Sequence, residues 1–426
     1  MRVALLSIGT RGDVQPFVVL GKALLARGHD VVVASGAEFE PMVTGAGLGF
    51  VPFTSLGTDT TADMLASPKV KAALRKGPSL FRMSLAAPRR SAADMDAFVE
   101  EMVAAADGAD VIVNTTLTRI GALVREDTPW CSVDGWPTTP TAAWPALGAP
   151  EFPWPGRLAG RYNRVTHANR DYLEWLIYRV SINNRRRAGG LTRLGLRSRL
   201  RESGMLRPLL YQFSPSLFPP PPDWPQRCYV TGNWGTNDAG NRPPALARFL
   251  ADGDSPVVAA FGSAWSVGED ELWEASVDMG RRLGKRLVFV GGPDRELPGD
   301  LDAIRVETAE YGWLLPAAAA VMHHGGQGTT AEVAKAGRPQ VVVPCYADQP
   351  MWARQLAALG VAPRPVPFAK LTGDLLTAAV RTAVTDPSIT ARAQRLAKAA
   401  GQDPGVELAA QVVEDWAAGV STPQMS

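Results

Sequence analysis

A chain of 426 residues exceeds the usual size of a single-core domain, and its length predicts two domains of about 200 residues each. Lys and Arg number 44 against 42 Asp and Glu, a near balance that excludes the strongly basic character of a nucleic-acid-binding protein. Three cysteines without a CxxC pair fit neither a disulfide framework nor a zinc site, so we expect reduced thiols, and we assign no metal. The N-terminal apolar run, about seven residues, is too short for a signal peptide or membrane span, which predicts a cytoplasmic protein.

The N-terminal half alternates strand-like and helix-like segments. "RVALLSIG" predicts a first strand, Pro16 suits the first turn of a helix, and Gly28 stands where a C-cap glycine belongs before the strand "DVVVAS". The runs "DVIVNT" (110–115) and "PWCSVD" (129–134) predict further buried strands. The pattern indicates an α/β domain over residues 1–215 with a doubly wound, mostly parallel sheet.

The second half repeats this pattern, and we take "CYVTG" as the first strand of a second parallel sheet in a domain over residues 228–405. The stretch "SPSLFPPPPDWPQR" holds six prolines and cannot continue a helix or a central strand, which predicts a semi-rigid linker at 216–227. We expect residues 406–419 to form a helix that packs back on the N-terminal domain, followed by a frayed tail at 420–426.

Residues 157–207 depart from the sheet pattern, because they read as helical and rich in arginine. One interpretation is a solvated helical insertion. The other is a basic surface that faces a membrane or the substrate, and Tyr172, Trp175 and Tyr178 keep this second interpretation open.

A glycine-rich turn follows a strand candidate at 317–323 and precedes a helix candidate at 329–336 in "MHHGGQGTTAEVAKAG". The start of a helix presents unpaired N–H groups and the positive end of the helix dipole, which predicts a phosphate or diphosphate site. His324 is suited to donate to a phosphate oxygen, and the adjacent His323 is expected to point the other way. A purely structural role for these histidines is the alternative.

A second polar loop follows the strand candidate 340–344 in "VVVPCYADQP". Ligands of open α/β sheets lie beyond the carboxyl ends of the strands, so this loop and the glycine-rich turn are expected to line one crevice. A carboxylate beside an amide, Asp348 and Gln349, suits the vicinal hydroxyls of a sugar. The pair also fits a helix cap, and this alternative stays open.

The stretch "HHGGQGTTAEVAKAGRPQVVVPCYADQPMWARQLAALGV" resembles the donor-sugar signature of the family 1 nucleotide-sugar glycosyltransferases, and "GTRGDVQPFVVLGKALLARGHDV" resembles their N-terminal signature. The nearest subgroups are the sterol 3β-glucosyltransferase-like enzymes and the actinomycete enzymes that glycosylate antibiotic aglycones. The resemblance covers residues 2–34 and 311–366 but not 55–210, where such enzymes bind the acceptor. It implies a GT-B fold, in which two Rossmann-like domains face each other across a cleft, with the acceptor on the N-terminal domain and the nucleotide-sugar on the C-terminal one.

The resemblance also implies roles for individual residues. The glycine-rich turn would hold the diphosphate, Asp348 and Gln349 the hexose, Ser263 a phosphate, Glu332 the ribose, and Trp313 the base. The implied donor-binding residues are Gly12, Ser263, Trp313, His324, Gly325, Gly326, Gly328, Thr329, Thr330, Glu332, Asp348 and Gln349. The residues expected to contact the acceptor are Thr10, Arg11, Asp13 and Trp136, the last grouped with Trp144 and Trp154 as an aromatic lining.

Glycosyl transfer needs a base for the acceptor hydroxyl, and Asp13 is the titratable acid in "SIGTRGDVQP". With a strand ending at Gly9 and a helix starting at Pro16, the residues between them would line the lip of the first sheet. A carboxylate of pKa about 4 is a weak base, so proton transfer would come late, and burial in a closed cleft would strengthen the base. The alternative is that Asp13 only caps the helix.

The sequence therefore predicts an inverting hexosyltransferase that uses a UDP- or dTDP-sugar and a hydroxyl of a lipophilic small molecule. Asp13 acts as base, His324 stabilises the leaving diphosphate, and no cofactor or nucleic acid is involved. The alternative is an accessory protein that binds a nucleotide-sugar without turnover.

Overall fold

The computed structural model describes residues 1–55, 64–65, 67–77, 91–116, 118–119, 128–152, 154–195, 207–235 and 241–420. The first sheet has seven strands, paired in parallel in the order β3-β2-β1-β4-β5-β6-β7. These strands are β1 Arg2–Leu6, β2 Asp30–Gly36, β3 Gly49–Phe53, β4 Val111–Asn114, β5 Trp130–Asp134, β6 Leu209–Tyr211 and β7 Cys228–Val230.

The second sheet has five parallel strands in the order β10-β9-β8-β11-β12. They are β8 Val257–Ala260, β9 Leu287–Val290, β10 Ala303–Val306, β11 Ala320–His323 and β12 Gln340–Val342. The main helices are α1 Arg11–Ala26, α2 Glu40–Thr44, α3 Pro68–Arg75, α4 Ala92–Ala105, α5 Gly156–Ala188, α6 Pro244–Ala251, α7 Glu269–Leu283, α8 Tyr311–Leu314, α9 Gln327–Ala336, α10 Gln349–Ala358, α11 Gly373–Thr385, α12 Pro387–Ala400 and α13 Gly405–Ala417.

Both sheets are buried on their two faces, as their uninterrupted apolar strands require. Val3 and Leu5 of β1 lie in one apolar cluster, and Ala4 and Leu6, which point to the opposite face, lie in another. The strands of the second sheet likewise divide their alternate side chains between two clusters. The prediction of two doubly wound parallel sheets is confirmed.

The strand that begins at Cys228 was assigned to the wrong sheet. β7 pairs with β6, so it is the last strand of the first sheet, and the proline-rich stretch 216–227 connects two strands of one sheet instead of two domains. Leu217 and Phe218 within this stretch are buried. Prolines mark backbone that cannot enter a helix or a sheet, but they do not show that the segment is exposed or lies between domains. The chain passes to the second sheet after β7.

The start of α1 also differs from the prediction. The helix begins at Arg11 instead of Pro16, which lies inside it, so Asp13 belongs to the first turn and not to a loop. Thr10 and Asp13 form a capping box, which satisfies N–H groups at the helix start and sets that start earlier than the proline does.

The arginine-rich region forms the long helix α5, while residues 196–206 of this region lie outside the described residues. Trp175 is buried against the first sheet, Tyr178 packs at the edge of the same cluster, and Tyr172 is exposed. None of the helices within the described residues is both long enough and apolar enough to span a bilayer.

Two sets of contacts hold the halves of the molecule together. Tyr211 and Phe213, at the end of β6, share an apolar cluster with Val342 of β12 and Trp352 of α10. The last helix, α13, returns to the first sheet and packs on α1.

Candidate active site

Asp13 lies at the carboxyl edge of the first sheet, where α1 begins just after β1. Its Oδ2 accepts hydrogen bonds from the backbone N–H of Thr10 (2.7 Å) and from the Thr10 hydroxyl (2.9 Å). The carboxylate lies over Gly9, whose φ is +137° and where a Cβ would come within 2.3 Å of Oδ2. Glycine at position 9 allows the positive φ of the backbone, and it leaves room for the carboxylate of Asp13. Asp13 therefore does cap the helix, and only one of its two oxygens is used for this.

The charge of Asp13 interacts with groups of the second sheet. Burial raises its pKa above the ordinary value, and the two Thr10 hydrogen bonds partly oppose the rise. The charge of Asp13 also contributes to raising the pKa of Tyr346 and of Asp348, both in the loop after β12. The carboxyl groups of Asp13 and Asp348 are thus close enough for their charges to interact.

The glycine-rich turn connects β11 to α9 in the second sheet. Gly326 occupies the N-cap position and has no side chain to cap the helix, so the first N–H groups of α9 have no intrahelical partner. His324 fits against Gly326, where a Cβ would come within 2.4 Å of Nε2. The predicted helix N-terminus is present, and it begins at Gln327, two residues before the expected position.

The two histidines play different parts. His323 is fully buried; its Nε2 donates to Gln340 Oε1 (2.9 Å), and its Nδ1 accepts from the backbone N–H of Gly325 (3.1 Å). It therefore fixes the turn. His324 has its Nδ1 buried without a full hydrogen bond among the described residues, and the backbone carbonyl of Ala260 partly opposes the fall in its pKa. Burial lowers the pKa of His323 to about 3 and that of His324 to about 4, so both rings are neutral near pH 7 and His324 can donate one hydrogen bond.

The hydroxyl groups predicted to bind the diphosphate are not equally placed. Thr330 is fully buried, and its Oγ1 has no partner within the described part of the chain. Thr329, one residue earlier, is half-buried. Thr329 is thus the threonine of the pair that solvent, and hence a ligand, can reach in this conformation.

The loop after β12 is built around the predicted Asp-Gln pair. Gln349 is buried, and its Oε1 accepts from the backbone N–H groups of Cys345 (2.9 Å) and Tyr346 (3.0 Å), which closes the loop. Asp348 occupies the N-cap position of α10 but makes no side-chain cap; its Oδ2 accepts from Trp352 Nε1 (2.8 Å). Burial raises the pKa of Asp348 to about 7. What remains for a ligand is one oxygen of Asp348 and the amide NH₂ of Gln349.

Two features of this loop were not predicted from the sequence. Ala347 has φ +50°, a conformation that side chains other than glycine rarely adopt and that is typical of functional sites. Tyr346 donates to or accepts from Ser263 (Oγ to OH, 2.6 Å), so the loops after β8 and β12 are bridged. These loops follow the strands on either side of β11, and the bridge encloses the glycine-rich turn. No sequence signal marks either feature.

The residues expected near the ribose and the base form a third group. Glu332 Oε1 accepts from Asn233 Nδ2 (2.9 Å), which lies in the segment after β7. Burial raises the pKa of Tyr311 to about 12; the charge of Arg11 opposes the rise and that of Glu332 adds to it, so these groups adjoin. Trp313, on the same short helix as Tyr311, has the Arg242 guanidinium 5.8 Å from its ring centroid.

On the acceptor side, the structure separates the residues grouped in the prediction. The exposed residues Arg11 and Gly12 stand beside Asp13. Trp136 packs at the edge of the cluster between the two halves, and Trp144 packs in it against Phe218. Trp154 is exposed and stacks on Phe152, so the three tryptophans do not form one lining.

The first sheet also contacts the glycine-rich turn directly. Gln327, the first residue of α9, donates from Nε2 to the backbone carbonyl of Gln212 (2.6 Å), just beyond β6. The carboxyl edges of the two sheets therefore face each other, with Asp13 on one side and the turn on the other. Over the described ranges, no group of three or more His, Cys, Asp or Glu side chains is arranged to hold a metal ion.

Comparison with known proteins agrees with this geometry. Residues 3–118 match the glycosyltransferase family 28 N-terminal domain, and residues 293–415 match the erythromycin biosynthesis protein CIII-like C-terminal domain. The chain belongs to the family 1 glycosyltransferases of GT-B fold, and it is a hexosyltransferase.

Individual relatives extend over the whole chain. An enzyme of Streptomyces fradiae, O-mycaminosyltylonolide 6-deoxyallosyltransferase, is 44% identical over 420 residues, which are 98% of each chain. The sterol 3-beta-glucosyltransferase of Leptosphaeria maculans is 30% identical over 97% of this chain, which spans 28% of that enzyme. The crystal structure of a Streptomyces sp. SF2575 glycosyltransferase complexed with thymidine diphosphate superposes with a TM-score of 0.60 at 21% identity, covering 97% of this chain and 99% of that one. The resemblance found in the sequence is confirmed, and an enzyme is favoured over an accessory protein.

Proposed function

We propose that the protein transfers a deoxyhexose, with inversion, from a dTDP-sugar to a hydroxyl group of a lipophilic natural product. The observation that carries this proposal is that Asp13 and the glycine-rich turn lie at the carboxyl edges of two sheets, which the Gln327–Gln212 hydrogen bond joins. A base on one side and a diphosphate site on the other suit direct displacement at the anomeric carbon. Asp13 removes the proton of the acceptor hydroxyl, and the new bond forms on the face opposite the departing diphosphate.

The relatives support the choice of substrates. The Streptomyces fradiae enzyme is named for transfer of a 6-deoxyallosyl group to O-mycaminosyltylonolide, and the solved Streptomyces sp. SF2575 enzyme holds thymidine diphosphate. Both favour a thymidine-linked deoxyhexose over UDP-glucose as the donor for this chain. The leaving diphosphate meets the open start of α9, the neutral imidazole of His324 and the hydroxyl of Thr329, while Asp348 and the Gln349 amide bind the sugar. We include in the proposal that no metal is required.

A pair of substitutions separates the two roles of Asp13. Asp13→Asn keeps a side-chain oxygen that accepts from Thr10, so the helix cap is preserved and only the base is lost. We expect kcat to fall by about 10² to 10⁴-fold, with unchanged affinity for dTDP by thermal shift. Asp13→Ala removes the cap as well and is expected to cost a further ~1 kcal/mol of unfolding free energy.

The pH dependence of the transfer rate tests the same assignment of Asp13 as base. Because burial raises the pKa of Asp13, the wild-type rate should fall as the pH is lowered through that raised pKa, where the carboxylate becomes protonated. Turnover of Asp13→Asn close to the wild-type value would rule out this base. Loss of transfer on treatment with EDTA would rule out metal independence.

A further inference from the structure

The helix α5 carries an apolar surface that the proposed reaction does not use. Leu158, Val165, Tyr172, Leu176 and Val180 recur at spacings of seven, seven, four and four residues, which places them on one side of the helix. All five side chains are exposed, as is Leu173 beside them, and Leu173 is 60% accessible. We call these six residues the apolar stripe.

The opposite side of α5 shows that the stripe faces away from the protein core. Trp175 and Ile182 are buried in the cluster that covers the first sheet. The two acidic residues of the helix are also turned inward: Asp171 pairs with Arg170 (3.1 Å) and Glu174 with Arg119 (3.3 Å). The stripe extends over the 23 residues from Leu158 to Val180, about 33 Å from end to end at 1.5 Å per residue.

An exposed aromatic group continues the stripe at its N-terminal end. Phe152 and Trp154 stack with their ring centroids 5.2 Å apart, and Tyr162 meets both rings edge-on at the same distance. Phe152 and Trp154 are each 48% accessible. Tyrosine and tryptophan are suited to the boundary between water and hydrocarbon, because each has a large apolar ring and a polar group.

The exposed charge of α5 itself has one sign, although Arg164 and Arg185 pair with carboxylates of other segments, Asp223 and Glu100. Between residues 156 and 195 every exposed charged side chain is an arginine: Arg157, Arg161, Arg164, Arg187 and Arg193. A stripe of apolar side chains bordered by arginines is the arrangement of helices that lie in the plane of an anionic bilayer. A second copy of the chain fits less well, because two such helices would oppose their exposed arginines, and neither helix has an exposed carboxylate of its own.

We propose that the apolar stripe and its arginines bind the surface of an anionic lipid bilayer, with α5 lying in the headgroup region. The apolar side chains enter the boundary of the acyl chains, and the arginines contact lipid phosphates. This surface is separate from the cleft between the two sheets.

The test is flotation of the full-length protein with vesicles of phosphatidylcholine, with or without phosphatidylglycerol. We expect binding only to the anionic vesicles, and release as salt is added. Arg157→Gln and Arg161→Gln should each weaken binding about fivefold. The variant Leu173→Gln, Leu176→Gln, Val180→Gln should abolish it, whereas Leu375→Gln, on an exposed site of α11 in the second domain, is the matched control and should bind as wild type.

Two results would overturn the proposal. One is the absence of binding to anionic vesicles, or equal binding by the stripe variant and the Leu375→Gln control. The other is a wild-type dimer, measured by light scattering, that the stripe substitutions convert to a monomer, because the stripe would then be covered by a second copy. Transfer measured without vesicles should be the same for wild type and all these variants, which excludes misfolding as the cause of lost binding.

Discussion

At the scale of single residues, the sequence predicted the orientations of the adjacent histidines but not their hydrogen-bond partners. Their position between a strand and a glycine turn predicted opposite orientations, and the structure places His323 in the interior and His324 against Gly326. The partner of His323, Gln340, is 17 residues further along the chain, and nothing in the sequence pairs them. Burial of one hydroxyl of the Thr329–Thr330 pair likewise depends on how α9 packs, which the motif does not specify.

The histidines should therefore respond differently to substitution. His323→Ala leaves Gln340 Oε1 and the N–H of Gly325 buried without partners, and we expect a loss of about 2 to 4 kcal/mol in unfolding free energy, measured with denaturant. His324→Ala should change stability little but lower kcat by about 10²-fold and weaken dTDP binding. Each variant is the control for the other, and a pattern in which His324→Ala destabilises while His323→Ala reduces only turnover would reverse the assignment.

Asp348 should make stability depend on pH. Its pKa is about 7 in the folded protein against an ordinary value of 3.8, so between these values the folded protein retains a proton that the unfolded chain has lost. Ionising this buried carboxyl thus destabilises the fold as the pH rises through the window. Asp348→Asn keeps an oxygen for Trp352 Nε1 and cannot ionise. Without ligand, this variant should melt above wild type at pH 8, with the difference largely lost by pH 4, and a constant difference would contradict the raised pKa.

At the scale of elements, local signals placed strands and helices well but assigned one strand to the wrong sheet. The carboxyl edge of the second sheet was predicted because each polar loop directly follows an apolar run. β7 was misassigned because the pairing of a parallel strand is decided by contacts distant in sequence, here between β6 and β7 across a 16-residue proline-rich connection. The predicted start of α1 at Pro16 was wrong because the Thr10–Asp13 capping box, not the proline, sets the start of this helix.

The hydrogen bond between Ser263 and Tyr346 connects the loops after β8 and β12, and it is testable by substituting each residue alone and both together. Tyr346→Phe and Ser263→Ala each remove the 2.6 Å contact, and we expect each to cost about 1 kcal/mol and to raise the KM for the donor several-fold. Because both substitutions remove the same interaction, the double variant should be little worse than either single variant. Additive losses would show that the two side chains act independently.

At the scale of the whole molecule, the cleft exists because the carboxyl edges of two sheets are held face to face. The contacts that do this, Gln327 to Gln212 and Asn233 to Glu332, join residues about a hundred or more positions apart. The composition would allow many such polar pairs. The relative placement of the two sheets could therefore be predicted from the family resemblance but not from the periodicity of the sequence. The acceptor side illustrates the limit, since Trp136 and Trp144 share one cluster, whereas Trp154, grouped with them by sequence neighbourhood, is exposed.

The C-terminal helix provides a test of how the halves depend on each other. Val412 and Val413 of α13 are buried in the cluster formed by α1 and the first sheet, and Arg27 of the segment after α1 bonds to Glu407 and Glu414. A chain ending at residue 404 loses these contacts, and the two valines alone account for about 3 to 6 kcal/mol.

We expect this truncation to increase hydrogen exchange in α1 while α7, in the separate core of the second sheet, keeps its protection. A chain ending at residue 420 retains α13 and is the matched control. Equal loss of protection in α1 and α7 would show that the two sheets unfold as a single unit; unchanged protection in α1 would show that α13 contributes nothing to the first domain. The expected result would make α13, the last helix, a part of the N-terminal domain. Because α13 follows the second domain in the chain, it connects the domain that carries Asp13 to the domain that carries the glycine-rich turn.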